Sequence, residues 1–211
     1  AIIQKDMKRL IAYSSISHMG FVTLGCFAIF AIAKQTGLSA AGLILEGAIV
    51  VMISHAFVSS ALFAGVGYIY DRMHTRRLAD MGGIVNTMPI FASFFMLFCM
   101  ANAGLPGTSG FVGEFMVILG SIKAGFWVAF WAATTLITAA GYNLWMYKRV
   151  IFGPVANEKV AALKDLSGFE LSAYVLLALM VIAMGVYPKP MLEYIHQTVS
   201  HTLALASQSK L

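Results

Sequence analysis

Charge is what this sequence has least of. Only 11% of its 211 residues are Asp, Glu, Lys or Arg, while 60% are hydrophobic and mean hydropathy is +0.83. A soluble globular domain carries about 25% charged residues, so an ordinary cytosolic fold is excluded. Disorder is excluded as well, since it requires low hydrophobicity. Cysteine is nearly absent. Cys26 and Cys99 lie in different apolar runs without CxxC spacing, which indicates neither a disulfide framework nor a metal site. No Walker A, GxGxxG or nucleophile elbow occurs, so no redox or hydrolytic chemistry is expected of the chain. Ala1 is followed by a charged stretch rather than a signal-peptide n-region, and no signal peptide is expected here. Lys and Arg outnumber Asp and Glu by 14 to 9, yet they fall between apolar runs rather than on one face. That distribution argues against a nucleic-acid partner and for membrane topology.

What the chain has in abundance is long apolar runs. Residues 10–33, 47–70 and 124–147 contain no Lys, Arg, Asp or Glu; residues 84–122 contain only Glu114; and residues 171–188 end at Pro188-Lys189-Pro190. Each reaches the roughly 18–20 residues that a helix needs to cross a bilayer. The sequence therefore predicts an all-α membrane protein with five transmembrane helices and a short polar tail over 189–211. If each run crosses once, 10 of the Lys and Arg fall on the side of the N-terminus and 4 on the other. Positive residues collect on the inner side, which places the N-terminus toward the cytoplasm or matrix.

The third run is too long to be one straight span. Its 39 residues would make a helix of roughly 58 Å, about twice the hydrocarbon thickness. A break is predicted at Gly104-Leu105-Pro106-Gly107-Thr108-Ser109-Gly110, where Pro removes a helical hydrogen bond and Gly permits non-helical dihedrals. Glu114 follows four residues after the last of these glycines. An intramembrane carboxylate costs several kcal/mol, so Glu114 is expected to be functional, with a proton or cation as its ligand; the bland reading places it near a membrane surface, since Lys123 follows nine residues later. Irregular backbone beside such an acid resembles the discontinuous helices of transporters. His18 and His55 lie inside spans next to serines and could both accept and donate protons in a relay. The bland reading of each is a neutral imidazole bonded to a neighbouring helix. Tyr13, Tyr68, Tyr70, Tyr142 and Tyr147 sit toward span ends and read as interfacial anchors. Lys8 reads as a boundary charge.

Three segments carry a family resemblance. Gln4-Lys5-Asp6-Met7-Lys8-Arg9-Leu10-Ile11-Ala12-Tyr13-Ser14-Ser15-Ile16-Ser17-His18-Met19-Gly20, Met52-Ile53-Ser54-His55 and Leu105-Pro106-Gly107-Thr108-Ser109-Gly110-Phe111-Val112-Gly113-Glu114-Phe115 resemble signatures of the antiporter-like membrane subunits of respiratory complex I. The likeness continues through Tyr70-Asp71-Arg72-Met73-His74-Thr75-Arg76 and Val186-Tyr187-Pro188. Glu rather than Lys at the broken helix resembles the subunit M branch, and also related photosynthetic complexes. The resemblance implies a proton relay in which His18 and His55 lie on a central polar axis and Glu114 is the terminal acidic site. It implies that FMN, iron–sulfur clusters and quinone reside on other subunits, with no cofactor on this chain. The expected partners are other complex I membrane subunits and the lipid bilayer, in a bacterial plasma membrane or the mitochondrial inner membrane. The five spans match only the last part of the family's larger bundle, so a further segment or a separate chain is expected to carry the upstream helices. The rival expectations are a subunit of a secondary cation/proton antiporter and a non-transporting scaffold.

Overall fold

The computed structural model describes residues 1–208, and Ser209 to Leu211, including the Lys210 counted in the charge balance, lie outside them. The described residues form eight α-helices: α1 (Met7–Thr36), α2 (Gly42–Met73), α3 (Pro89–Asn102), α4 (Ser109–Ser121), α5 (Phe126–Ile151), α6 (Glu158–Ala161), α7 (Gly168–Val186) and α8 (Lys189–Gln208). Short 3₁₀ turns join α1 to α2 and α2 to α3, and no strand occurs among the described residues. Helices α1, α2 and α7 are long and apolar enough to cross a membrane; α3 and α4 are shorter apolar helices. Helix α5 has 26 residues but mixes Thr134, Thr135, Thr138 and Asn143 into its apolar surface. Those Thr hydroxyls donate back to carbonyls of their own helix rather than across to neighbours.

Local chemistry sets the ends. The Asp6 carboxylate accepts from the Arg9 backbone N–H at 3.0 Å and caps α1. Asp165, distant in sequence, caps α3 by accepting from the backbone N–H groups of Ile90 at 2.7 Å and Phe91 at 3.0 Å. Asp165→Ala leaves those donors unpaired beside Pro89 and is expected to cost about 1 kcal/mol, the usual loss of a cap. A lowered melting temperature of the purified assembly would register it. At the far end of α3, Gly104 adopts φ 78°, and the Leu105 N–H donates to the Met100 carbonyl at 3.0 Å while the Gly104 N–H donates to Ala101 at 3.2 Å. This is a Schellman stop, followed by Pro106, which cannot continue a helix. Helix α7 covers the unwound segment so closely that a Cβ on Gly185 would collide with the Gly107 carbonyl oxygen.

Within the polar tail expected over 189–211, Lys189–Gln208 form helix α8. Ile195, Val199 and Leu203 recur every four residues and are buried against the apolar cluster around Ile32, Ile44 and Val117. The polar residues between them hid the stripe. His196 Nδ1 lies 2.6 Å from Glu46 Oε1, tying α8 to the start of α2. Tyr142 and Tyr147 are buried rather than interfacial, and Tyr147 Oη donates to the Ala92 carbonyl at 3.0 Å.

Two apolar clusters fill the bundle. One gathers Met7, Leu10, Phe91, Phe95, Phe98 and Tyr174; the other gathers Phe21, Ile32, Ile44, Val50 and Val117. Along α1 the first cluster ends at Ile11 and the second begins at Phe21; along α2 the order reverses between Val51 and Val58. The interval between the clusters holds most of the buried polar side chains.

Candidate functional site

That interval is built from four helices. Helix α1 contributes Ser14 and His18, one turn apart, and α2 contributes Ser54 and His55. Helices α3 and α4, on either side of the non-helical segment between them, contribute Asn102, Ser109 and Glu114, and α5 contributes Tyr142 and Asn143. The break matters for this placement, because Asn102 is the last residue of α3 and Ser109 the first of α4, so both ends of the unwound segment face the same layer.

The structure brings the three sequence-predicted residues together. His18 Nδ1 lies 2.6 Å from Glu114 Oε1, and both residues are buried, with 6% and 2% exposure. The His55 ring lies 5.3 Å from that of His18, centroid to centroid, tilted by 34°. Ser54 Oγ donates to Ser109 Oγ at 2.8 Å, linking α2 to the start of α4. On the other flank, Asn102 Nδ2 donates to Asn143 Oδ1 at 3.1 Å and approaches Ser14 Oγ at 3.4 Å. Asn102 escaped the sequence reading, although an amide in the apolar run immediately before the break was a visible signal. Tyr142 was passed over because its position toward a span end suggested an anchor.

Chemically, the His18–Glu114 contact accommodates a proton at either end. An Nδ1–H can donate to a carboxylate, or a carboxyl O–H can donate to a bare Nδ1, with little movement of heavy atoms. Two polar atoms in this layer, His18 Nε2 and Glu114 Oε2, are buried without a hydrogen-bond partner among the described residues. Buried polar atoms are normally paired, and such exceptions mark functional sites or positions for a bound water. His18, His55, Ser54, Asn102 and Glu114 line a cavity of about 10 Å³, near the least that admits one water molecule. Among the described residues no three His, Cys, Asp or Glu side chains converge as metal ligands.

Comparison with known proteins gives the same direction. A family described as "NADH:quinone oxidoreductase/Mrp antiporter, TM" matches residues 1–139. NADH-quinone oxidoreductase subunit M of Rhodobacter capsulatus is 48% identical over 201 residues, which is 95% of this chain and 37% of the relative. NADH-ubiquinone oxidoreductase chain 4 of Marchantia polymorpha is 44% identical over 200 residues, covering 95% of this chain and 38% of the relative. Among solved structures, a chain of respiratory complex I from Thermus thermophilus with bound NADH superposes with TM-score 0.78 at 29% identity, over 97% of this chain and 40% of that one. The Mrp complex from Dietzia sp. DQ12-45-1b shares the fold, with TM-score 0.65 at 17% identity, over 90% of this chain and 47% of that one. The chain thus spans a little over a third of the length of the relatives it matches. With two thirds of its residues inside the family match, the chain belongs to the NADH:quinone oxidoreductase/Mrp antiporter transmembrane family, among relatives named NADH-quinone oxidoreductase subunit M and NADH-ubiquinone oxidoreductase chain 4.

Proposed function

We propose that the chain is the proton-carrying C-terminal part of a subunit M-type component of complex I, and that His55, His18 and Glu114 form part of its relay. The observation that carries this is the buried His18–Glu114 contact at 2.6 Å with His55 beside it, in a polar layer between two apolar clusters. Burying an acid and an imidazole, with a second, half-buried imidazole beside them, is costly among apolar helices, and proton transport is what intramembrane ionisable chains of this kind serve. A water in the adjoining cavity would connect Glu114 Oε2 and His18 Nε2 to Ser54 and Asn102. Glu114 is the acid that exchanges with the outer side, and the imidazoles supply it.

The topology in this reading has five crossings: α1, α2, the broken pair, α5 and α7. Helices α3 and α4 are 14 and 13 residues long. Each is therefore about 20 Å, short of the roughly 30 Å hydrocarbon core, so together they make one discontinuous crossing. The basic start of α1 and the basic loops after α2 and α5 face the cytoplasm or matrix. The membrane is a bacterial plasma membrane or the mitochondrial inner membrane. The partners are the other membrane subunits of complex I, and the upstream helices come from the remainder of a longer polypeptide or from a separate chain. FMN, iron–sulfur clusters and quinone belong to other subunits, which carry out the electron transfer that drives this part.

His18→Gln tests the reading. The amide still donates to Glu114 but cannot be protonated in turn, so NADH-driven proton uptake by inside-out vesicles is expected to fall, by less than loss of the acid itself would cause. NADH oxidation with an artificial acceptor should persist. Unchanged uptake per NADH would remove His18 from the relay. Sodium-dependent proton exchange without NADH in the same vesicles would favour the antiporter reading instead.

A further inference from the structure

Asn102 is held in an orientation that the surrounding backbone fixes. Asn143 Nδ2 donates to the Ala139 carbonyl at 2.9 Å, one turn back on its own helix, so Asn143 presents its Oδ1 to α3. Only the Nδ2 of Asn102 can answer an acceptor, and it does so at 3.1 Å. Ser14 Oγ donates to the Ile11 carbonyl at 2.7 Å, which leaves its lone pairs to accept from the same Asn102 Nδ2 at 3.4 Å. Both N–H bonds of the amide are thereby committed, one to α5 and one to α1. The Asn102 Oδ1 accepts from no other described residue. Ser14, Asn102 and Asn143 are all buried, so this brace is internal to the bundle.

We infer that Asn102 is a positioning residue for the relay, its Oδ1 being the fixed acceptor that orients one water between His18 and Glu114. Asn102 lines the cavity of about 10 Å³ together with both of them, a space for about one water. A buried water needs two to four polar partners. His18 Nε2 and Glu114 Oε2 are buried atoms without a partner among the described residues, and Asn102 Oδ1 supplies the third contact. Glu114 Oε2 is directed at the end of α3, since a Cβ on Gly104, two residues past Asn102, would lie 3.1 Å from it. An amide oxygen accepts a hydrogen bond but does not take up a proton at neutral pH. A water that donates one hydrogen to Asn102 therefore keeps that hydrogen. Only its second hydrogen and its lone pairs can serve the other two atoms. When a protonated His18 gives its Nε2 proton to this water, the second hydrogen passes to Glu114 Oε2, and the water is left with two hydrogens as before. The amide thus closes one branch and leaves the branch to the acid open. The site lies between α1, α3, α4 and α5, so it does not depend on what covers the outer faces of these helices. The use made of the water rests on the proposed relay; the orientation of Asn102 does not.

The experiment compares two variants of the assembled complex in inside-out vesicles. Asn102→Leu and Asn143→Leu both remove the Asn102–Asn143 hydrogen bond, and both are expected to lower the melting temperature. Only Asn102→Leu removes the acceptor. It is expected to shift the infrared stretching band of the Glu114 carboxyl group, identified by its loss in Glu114→Gln. Proton uptake per NADH should fall about fivefold in the same variant, the effect on an occupancy of losing one hydrogen bond of ordinary net strength. Asn143→Leu should leave the band in place, because Ser14 still holds the amide. Equal band shifts in the two variants would overturn the inference by reducing Asn102 to a brace between helices. So would an unmoved band in Asn102→Leu, or undiminished uptake in that variant where Glu114→Gln abolishes it. The nearly isosteric Asn102→Asp decides the matter if Asn102→Leu fails to assemble. Its carboxylate can keep the proton that the amide refuses, so uptake should acquire a pH dependence absent from the parent; a profile parallel to the parent's overturns the inference. If Glu114→Gln itself pumps normally, the relay reading fails, and the band alone then decides whether Asn102 orients a water against Glu114.

Discussion

Glu114→Gln is expected to lower NADH-driven proton uptake by inside-out vesicles about tenfold or more, since losing a general acid–base group typically slows a proton-transfer step by about 10²–10⁴-fold. The substitution is nearly isosteric, and the amide oxygen can still accept from His18 Nδ1–H across the 2.6 Å contact. Packing around this buried position is therefore conserved, and what disappears is the ability of the side chain to hold a proton. Glu114→Asp is expected to be milder, because the group still titrates but is drawn back from His18 by one methylene. NADH oxidation with an artificial acceptor, measured on the same membranes, shows whether the complex has assembled. Pumping per NADH unchanged in the Gln variant would rule out Glu114 as the terminal acid. A scaffold role would then gain, since neutralising an acid that nothing uses has no effect on transport. His55→Gln should act less severely than Glu114→Gln, because His55 reaches the acid only through the neighbouring His18 ring at 5.3 Å.

Much of this site was legible in the sequence, for a physical reason. Hydrocarbon tolerates few ionisable groups, so Glu114, His18 and His55 stood out against uncharged runs. The helix stop after Asn102 was legible as well, because Gly104 and Pro106 have no helical use in that order. What sequence could not supply was the pairing. His18 and Glu114 are 96 residues apart, and only the packing of α4 against α1 brings them to 2.6 Å. Asn102 and Tyr142 join the layer through positions that look ordinary in isolation, an amide at a helix end and a tyrosine toward a span end. Helix α8 was missed because its apolar stripe of Ile195, Val199 and Leu203 is narrow and set among His, Thr, Ser and Glu. A stripe of that width reads as a tail until the surface that buries it is known.

The largest structural loss is expected from Gly113→Leu, which should deplete the assembled complex from the membrane. Gly113 sits on α4 immediately before the acid, where α4 meets α2 backbone to backbone. A Cβ there would lie 2.6 Å from the Val51 backbone nitrogen, 2.8 Å from Val51 Cγ2 and 3.0 Å from the Gly47 carbonyl oxygen. The first and third of these are main-chain atoms of α2 and cannot rotate away, so the helices must separate. Overpacking of this kind costs about 1–3 kcal/mol even where side chains can yield. Here the contact is also reciprocal, since a Cβ on Gly47 would come within 3.1 Å of the Gly113 carbonyl oxygen. Gly113→Ala separates this effect from helix propensity. In an open helical site the change would stabilise by about 1 kcal/mol, and Gly20→Ala on α1, where a Cβ meets nothing within 4 Å, is the matched control. The expectation is a lower melting temperature for Gly113→Ala and an unchanged or higher one for Gly20→Ala. Equal melting temperatures for Gly113→Ala and the parent would mean that the close approach is unimportant. If Gly113→Ala assembles, its proton uptake per NADH should still fall. Any displacement of α4 from α2 moves the next residue, Glu114, away from His18, and a 2.6 Å contact has no slack to absorb it. Close backbone packing of α4 on α2 thus fixes the position of the acid beside His18.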